Sequence, residues 1–188
     1  MTCISISRQM GSLGCEVANQ LGDILGYRVV WRDLINQAAL RAQAPEMALA
    51  TIDELDLFGM RPSLEMRIAY CHAVEQVMYE LAEQGNVVIV GRAGQVILKD
   101  RPDALRVRII APSQLRAERI ARKENLPIAA AMNQIEASDR NRRKYLRLNY
   151  QVRWDDPELY DLIINTAHYS AEAAARLIVQ ALDALMGG

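Results

Sequence analysis

Short apolar runs alternate along the chain with longer stretches in which apolar residues recur every three or four positions. Cys3–Ser7, Arg28–Trp31, Val87–Val90, Leu105–Ile110 and Leu162–Ile164 are the strand candidates, and their alternation with helical patterns is that of βαβ units. Several of these runs are apolar at nearly every position, as in parallel strands covered by helices on both faces. A doubly wound α/β sheet of about five strands is expected. The first helix opens near Gly14, carries Val17, Leu21 and Leu25 on one face and stops at Gly26. A second helical segment begins around Asp33 and fades by Pro45, and residues 44–62 are irregular, with Pro45, Gly59 and Pro62 as breakers. Ser63 then caps a long helix with Leu64, Ile68, Cys71, Val74, Met78 and Leu81 as its inward stripe. Residues 37–84 read as a helical insertion. Pro112-Ser113 opens a helix running through Lys123, Pro127 opens another to about Tyr150, and Ser170 caps a last one with Leu177, Ile178, Ala181, Leu182 and Leu185 inward. There is no internal repeat and no low-complexity linker.

Composition narrows this picture. A length of 188 residues suits one domain spanning 1–188. The 22 basic and 23 acidic residues leave a net charge of −1, so the basic footprint of a general nucleic-acid binder is missing and an anionic ligand must be captured locally. Cys3, Cys15 and Cys71 are odd in number and lack CxxC spacing, and no charged-then-apolar leader precedes them. They read as reduced thiols without a zinc site, in a cytoplasmic protein. No apolar run approaches the ~18 residues that cross a bilayer, so no membrane association is expected.

The chemistry concentrates at strand ends. Ile4 to Ala18 is a strand running into a glycine-punctuated turn and a helix, Gly11-Ser12-Leu13-Gly14-Cys15-Glu16, which reads as a phosphate-cradling loop. Aligned with the second half of the standard signature, Leu13 stands at the last glycine, Gly14 at the lysine and Cys15 at the magnesium-binding hydroxyl. Ligands of open α/β sheets sit beyond the carboxyl ends of the strands, where a helix N-terminus presents free N–H groups to an anion. Arg8 adds a full charge beside the loop, or is a surface side chain. Arg92, at the end of the apolar run Val87–Val90, suits bidentate recognition of phosphate by its planar fork. The basic stretch Ser138 to Arg147 is either a solvated face or a mobile element able to swing Arg140 and Arg143 over a phosphoryl group; Glu136, Arg140 and Arg143 share one face, and Asp139 and Arg143 form an i,i+4 pair. Arg116 and Arg119 are ligand contacts or ordinary surface charges. Asp33 fits a metal, a ribose hydroxyl or simple stabilisation of a helix start. His72 is structural, and neither it nor His168 has a triad partner.

Taken in order, Ile6 to Ser12, Asp33-Leu34-Ile35, Val88 to Arg92, Arg108 to Pro112 with Arg116 to Arg119, Asp139-Arg140 to Tyr145, and Trp154 to Thr166 resemble the cytidylate-kinase-like family, a branch of the P-loop nucleoside monophosphate kinases. The resemblance covers almost the whole chain. It implies a three-layer P-loop NTPase-type parallel sheet with a helical NMP-binding insertion at 37–84 and a lid at 138–153. It implies ATP and Mg2+ as cofactors and a nucleoside triphosphate and monophosphate as partners. Gly11 to Glu16 with Arg116 and Arg119 then bind the donor, Arg92 and Asp33 the acceptor, Arg8, Arg140 and Arg143 act on the transferred phosphoryl group, and Asp33 or Glu16 contacts the metal. Members commonly read Gly-Ser-Gly-Gly-Arg-Glu where this chain has Gly11 to Glu16, and cytidylate kinases carry Asp where Ala93 stands.

The activity implied is ATP-dependent phosphoryl transfer to a CMP-like or dCMP-like nucleotide, achieved by alignment and charge neutralisation. One transition-state charge contact is worth ~3–4 kcal/mol, so an uncompensated loss of the lysine slows turnover roughly 100-fold or more. The alternative is a catalytically weak or inactive module that binds a nucleotide or phosphate on the same fold. A remoter one is an assembly protein using the Ala-rich helices at Pro127 and Ala171.

Overall fold

The computed structural model describes residues 2–31 and 63–187. The segment expected to begin at Asp33, and the irregular stretch up to Pro62, lie outside the described residues, as does the first part of the insertion expected at 37–84. The five strands are β1 (Cys3–Arg8), β2 (Arg28–Val30), β3 (Val87–Val90), β4 (Ala104–Ile110) and β5 (Leu162–Asn165). They form one sheet in the order β2-β3-β1-β4-β5, every pair parallel. The helices among the described residues are α1 (Gly14–Leu25), α2 (Leu64–Gln84), α3 (Gly94–Ile97), α4 (Ser113–Glu124), α5 (Ile128–Tyr150) and α6 (Ala171–Gly187).

The strand pleat sends alternate residues to opposite faces, and both faces of the central strands β3, β1 and β4 are covered, while the edge strands β2 and β5 are part-exposed. Cys3, Val87 and Ile89 face α2, α3 and the end of α5, where Tyr70, Val74, Met78, Leu98, Tyr145 and Leu146 cover them. Burial on this face pushes the Cys3 thiol up to about 12. Ile4, Ile6, Val88 and Val90 face α1 and α6, against Val17, Leu21, Ile178 and Leu182. A separate small core of Ala117, Ile120, Ala131 and Ile135 joins α4 to the first half of α5. Arg106 of β4 grips Asp161 at 2.6 and 3.0 Å and fixes the approach to β5.

Most boundaries follow the local signals. Gly26, left-handed at φ 66°, ends α1 and donates its N–H to the Gly22 carbonyl. Asn125 does the same for α4. The Ser170 hydroxyl accepts from the Ala173 N–H at 3.1 Å and caps α6. The short helix α3 follows two consecutive left-handed residues, Arg92 and Ala93, and no sequence periodicity announces four residues. The stripes need correction. On α2, Leu64 and Ile68 are 67 % and 57 % exposed, and the inward residues are Tyr70, Ala73, Val74, Met78, Leu81 and Ala82. On α6, Leu177 and Leu185 lie at the margin, and Ala174, Ala175, Ile178 and Leu182 meet the sheet. The helix rotates to place small residues against β-branched strands, because alanines permit closer approach than leucines. Ile178→Ala is expected to cost about 2–5 kcal/mol in urea unfolding, whereas Leu185→Ala costs under about 1 kcal/mol.

Candidate active site

The loop between β1 and α1 lies at the carboxyl edge of the sheet, and its backbone is held from outside. Arg116 donates to the Met10 carbonyl at 3.3 Å, Arg119 to the Gly11 carbonyl at 3.2 Å, and the Thr166 hydroxyl to the Ser12 carbonyl at 2.9 Å. Arg119 also donates to the Thr166 carbonyl at 2.7 Å, so one guanidinium ties the loop to the end of β5. Gly11 sits at φ 77°, and a Cβ there would stand 2.7 Å from the Arg116 carbonyl oxygen. Only glycine fits that approach. The Ser12 side chain is buried and donates to the Gln9 carbonyl at 2.8 Å, which makes it part of the loop's own scaffold. Leu13 takes the left-handed conformation, φ 61°, at the helix entry, a position that costs a non-glycine residue about 1–2 kcal/mol. Beyond it, the first-turn amides of Gly14, Cys15 and Glu16 are of the kind an α-helix leaves for outside partners. Cys15 and Glu16 are exposed at this rim.

The arginines divide into two groups. Arg116 is buried, pairs with Asp139 of α5 at 3.2 and 2.9 Å and donates to the Ala111 carbonyl at 3.1 Å. Its guanidinium therefore joins the loop, α4 and α5, and Asp139 pairs across helices with it in place of the expected i,i+4 partner Arg143. Desolvation lowers the pKa of Arg119, opposed by the field of Glu16, which puts that carboxylate near the brace. On α5, Arg140 and Arg143 are exposed, while Arg142 faces inward. The expected lid at 138–153 coincides with the second half of α5, an unbroken helix of 23 residues, and the three residues after it.

Beyond β1 and β3, a cleft is lined by Ser7, Arg8, Gly91, Ala93, Gln95, Arg142, Tyr145, Leu146 and Trp154. Its free volume is about 10 Å³, room for about one water. Arg92 stands beside it, fully buried, its guanidinium 5.8 Å from the Tyr70 ring and 5.9 Å from the Tyr145 ring. Cations over aromatic faces gain electrostatically, more so when desolvated. The cleft floor is a network that sequence reading missed. The Trp154 indole donates to the Ser7 hydroxyl at 2.9 Å, and the Arg108 guanidinium lies 4.6 Å from that indole and 5.2 Å from the Tyr160 ring. Arg108 donates to the Trp154 carbonyl, which also accepts from the Tyr160 hydroxyl at 2.7 Å. Burial lowers the Arg108 pKa. One signal was available: an arginine between Val107 and Ile109 in a strand with no solvated face must have a buried partner.

For metal binding, Asp33 lies outside the described residues. Among the described residues no cluster of three or more His, Cys, Asp or Glu is present. Glu16 is the acidic side chain nearest the loop by sequence. His72 is exposed on α2 and joins no site.

The parallel sheet in the order β2-β3-β1-β4-β5, with its braced loop after β1, has the fold of the P-loop kinases. A shikimate kinase from Acinetobacter baumannii superposes over 97% of this chain and 93% of its own, with a TM-score of 0.56 at 19% identity. An uncharacterised protein from Eubacterium ventriosum superposes more fully, TM-score 0.77 at 22% identity over 97% and 98% of the two chains. Residues 3–168 match the cytidylate kinase-like family, and the chain belongs to that family. A cytidylate kinase of Thermococcus sibiricus is 31% identical over 183 residues, 97% of this chain and 88% of the relative. Among the described residues no helix is long and apolar enough to cross a membrane.

The Arg116–Asp139 pair can be tested apart from activity. Asp139→Ala is expected to lose about 3–5 kcal/mol of stability by stranding a buried charge, while the double change Arg116→Met with Asp139→Leu recovers part of that loss, the remainder being the roughly 1–3 kcal/mol lost with the bonds to the Ala111 and Met10 carbonyls. Urea titration of the single and double variants reads the difference.

Proposed function

We propose that this protein transfers the γ-phosphoryl group of ATP to CMP or dCMP in the cytosol. The observation that carries the reading is the convergence of Arg8 from β1 and Arg142 from α5 on one cleft, beside a helix start whose loop carbonyls are bonded elsewhere. The donor phosphates lie on the loop Gly11 to Glu16, chiefly on the amides of Gly14, Cys15 and Glu16, with Ser12 bonded within the loop and Arg119 holding it in shape. Arg116 serves the donor end through the Met10 carbonyl and Asp139, as a brace rather than a direct ligand. The acceptor phosphate enters the cleft beside Gly91, where Arg92 is its binding arginine once Tyr70 and Tyr145 part. With about 10 Å³ free, the α5 side of the cleft must give way to admit a nucleotide, and its return brings Arg142, the inward basic residue of α5, over the reacting groups and excludes water, while Arg140 and Arg143 on the exposed face add only a longer-range field. Ala93 removes a carboxylate contact to the acceptor and loosens base choice.

Mg2+ suits the loop rim, because it is held by one or two carboxylates with phosphate oxygens and keeps several waters. Glu16 and Asp33 would hold it, and the Cys15 thiol is a poor ligand for so hard an ion. When bound it supplies charge neutralisation across the transferred phosphates.

The caged Arg92 and the left-handed Leu13 favour a second reading, a nucleotide-binding module that turns over slowly or not at all. A coupled ADP-release assay with CMP, dCMP, UMP and AMP, run beside isothermal titration, separates the two. The kinase reading expects CMP and dCMP to give the fastest release. It also expects Arg142→Ala to lower kcat roughly tenfold or more, one transition-state contact of about 1.36 kcal/mol being a factor of ten, and the exposed Arg140→Ala and Arg143→Ala to lower it less. Tight ATP binding without ADP release across the panel establishes the module instead.

A further inference from the structure

The standard phosphate loop reads Gly, four residues, Gly, Lys, then Ser or Thr. With Gly14 at the lysine, the same count puts Arg8 at the first glycine. The two positions have traded residue types: charge stands where glycine is usual, and glycine where charge is usual. The structure gives the trade a steric basis. A Cβ built on Gly14 would fall inside the van der Waals shell of the Arg8 Cβ and 2.9 Å from its Cγ. The stem of Arg8 therefore occupies the space from which a side chain at position 14 would leave α1. A lysine at 14 and an arginine at 8 exclude each other, and each glycine makes room for the other position's cation.

We propose that Arg8 is the functional substitute for the loop lysine, delivering its charge to the outer donor phosphates from the end of β1 instead of from the first turn of α1. This rests on the nucleotide reading given above. The exchange changes the chemistry in one respect. A lysine ammonium is a point charge on a flexible stem, whereas the guanidinium is a planar fork that engages two phosphate oxygens at once. Arg8 also reaches the site from the strand that forms one wall of the acceptor cleft, where Ser7, Gly91 and Arg142 are its neighbours. A single cation thus lies between donor loop and acceptor cleft.

The experiment is a double-substitution cycle read by Tm without ligand and by the Kd for ATP and for inorganic tripolyphosphate. Gly14→Lys alone is expected to lower Tm by several degrees. Arg8→Gly alone is expected to raise both Kd values about 100-fold. The combination of Arg8→Gly with Gly14→Lys is expected to regain most of the lost Tm and to bring Kd within about tenfold of wild type, the cation now standing at its usual place in the loop. Arg8→Lys keeps the charge without the fork and should fall between wild type and Arg8→Gly. Additive Tm changes in the combined variant would overturn the steric exchange. Unchanged Kd values in Arg8→Gly, with wild type binding both probes, would overturn the charge role while leaving the nucleotide reading intact. A wild-type protein that binds neither probe would overturn both.

Discussion

The site depends on how the chain between β1 and α1 is held, since that segment has no regular structure to satisfy its own carbonyls. Met10, Gly11 and Ser12 each give their carbonyl to a donor from another element: Arg116, Arg119 and Thr166. With these acceptors committed, and the Ser12 N–H donating to the Gln9 carbonyl at 3.3 Å, the amides at the start of α1 are left as the available groups, the arrangement an anion cradle needs. The two arginines come from α4, and Thr166 follows β5, so the cradle exists only once β4, α4 and β5 have docked beside β1. Loop shape is thus a consequence of sheet assembly.

The same brace extends to α5. Arg116 holds the Met10 carbonyl with one edge of its fork and the Asp139 carboxylate with the other, so α5 is anchored to the loop near its middle. Ahead of that anchor, α5 packs on α4 through Ala131 and Ile135. Beyond it, Tyr145 and Leu146 belong to the core under the sheet, together with Trp154. The second half of α5 is thus held at both ends, by the Arg116–Asp139 pair and by Tyr145 and Leu146 in the core, with Arg142 facing inward and Arg140 and Arg143 exposed.

Much of this was legible in advance because it is local. A strand apolar at every position must be covered twice, and the five strands were found within one or two residues of their observed ends. Gly26, Pro112, Pro127 and Ser170 mark helix ends by backbone chemistry that needs no partner. The stripes of α2 and α6 were less legible, because hydrophobic periodicity shows that a helix has an inner face without fixing its rotation. Ile68 and Leu185 satisfy the period as well as Tyr70 and Ala174 do, and the depth of the neighbouring strands makes the choice. Arg142 in place of Arg143 as the inward basic residue is the same problem carried into the site.

Composition and order alone determined the sheet class, the position of the phosphate loop and the absence of a lysine from it, since each of these is written in residues adjacent along the chain. Only the tertiary structure decided which charges meet. Arg116 was as good a ligand candidate as any until Asp139, 23 residues away, neutralised it, and Arg108 became part of the cleft floor only when Trp154 and Tyr160 closed over it. Electrostatic partnership depends on distance in space and on desolvation, and neither follows from separation along a chain. The exchange of glycine and charge between positions 8 and 14 joins the two levels: sequence supplies the trade, and the space filled by one side chain's stem shows why both halves had to change.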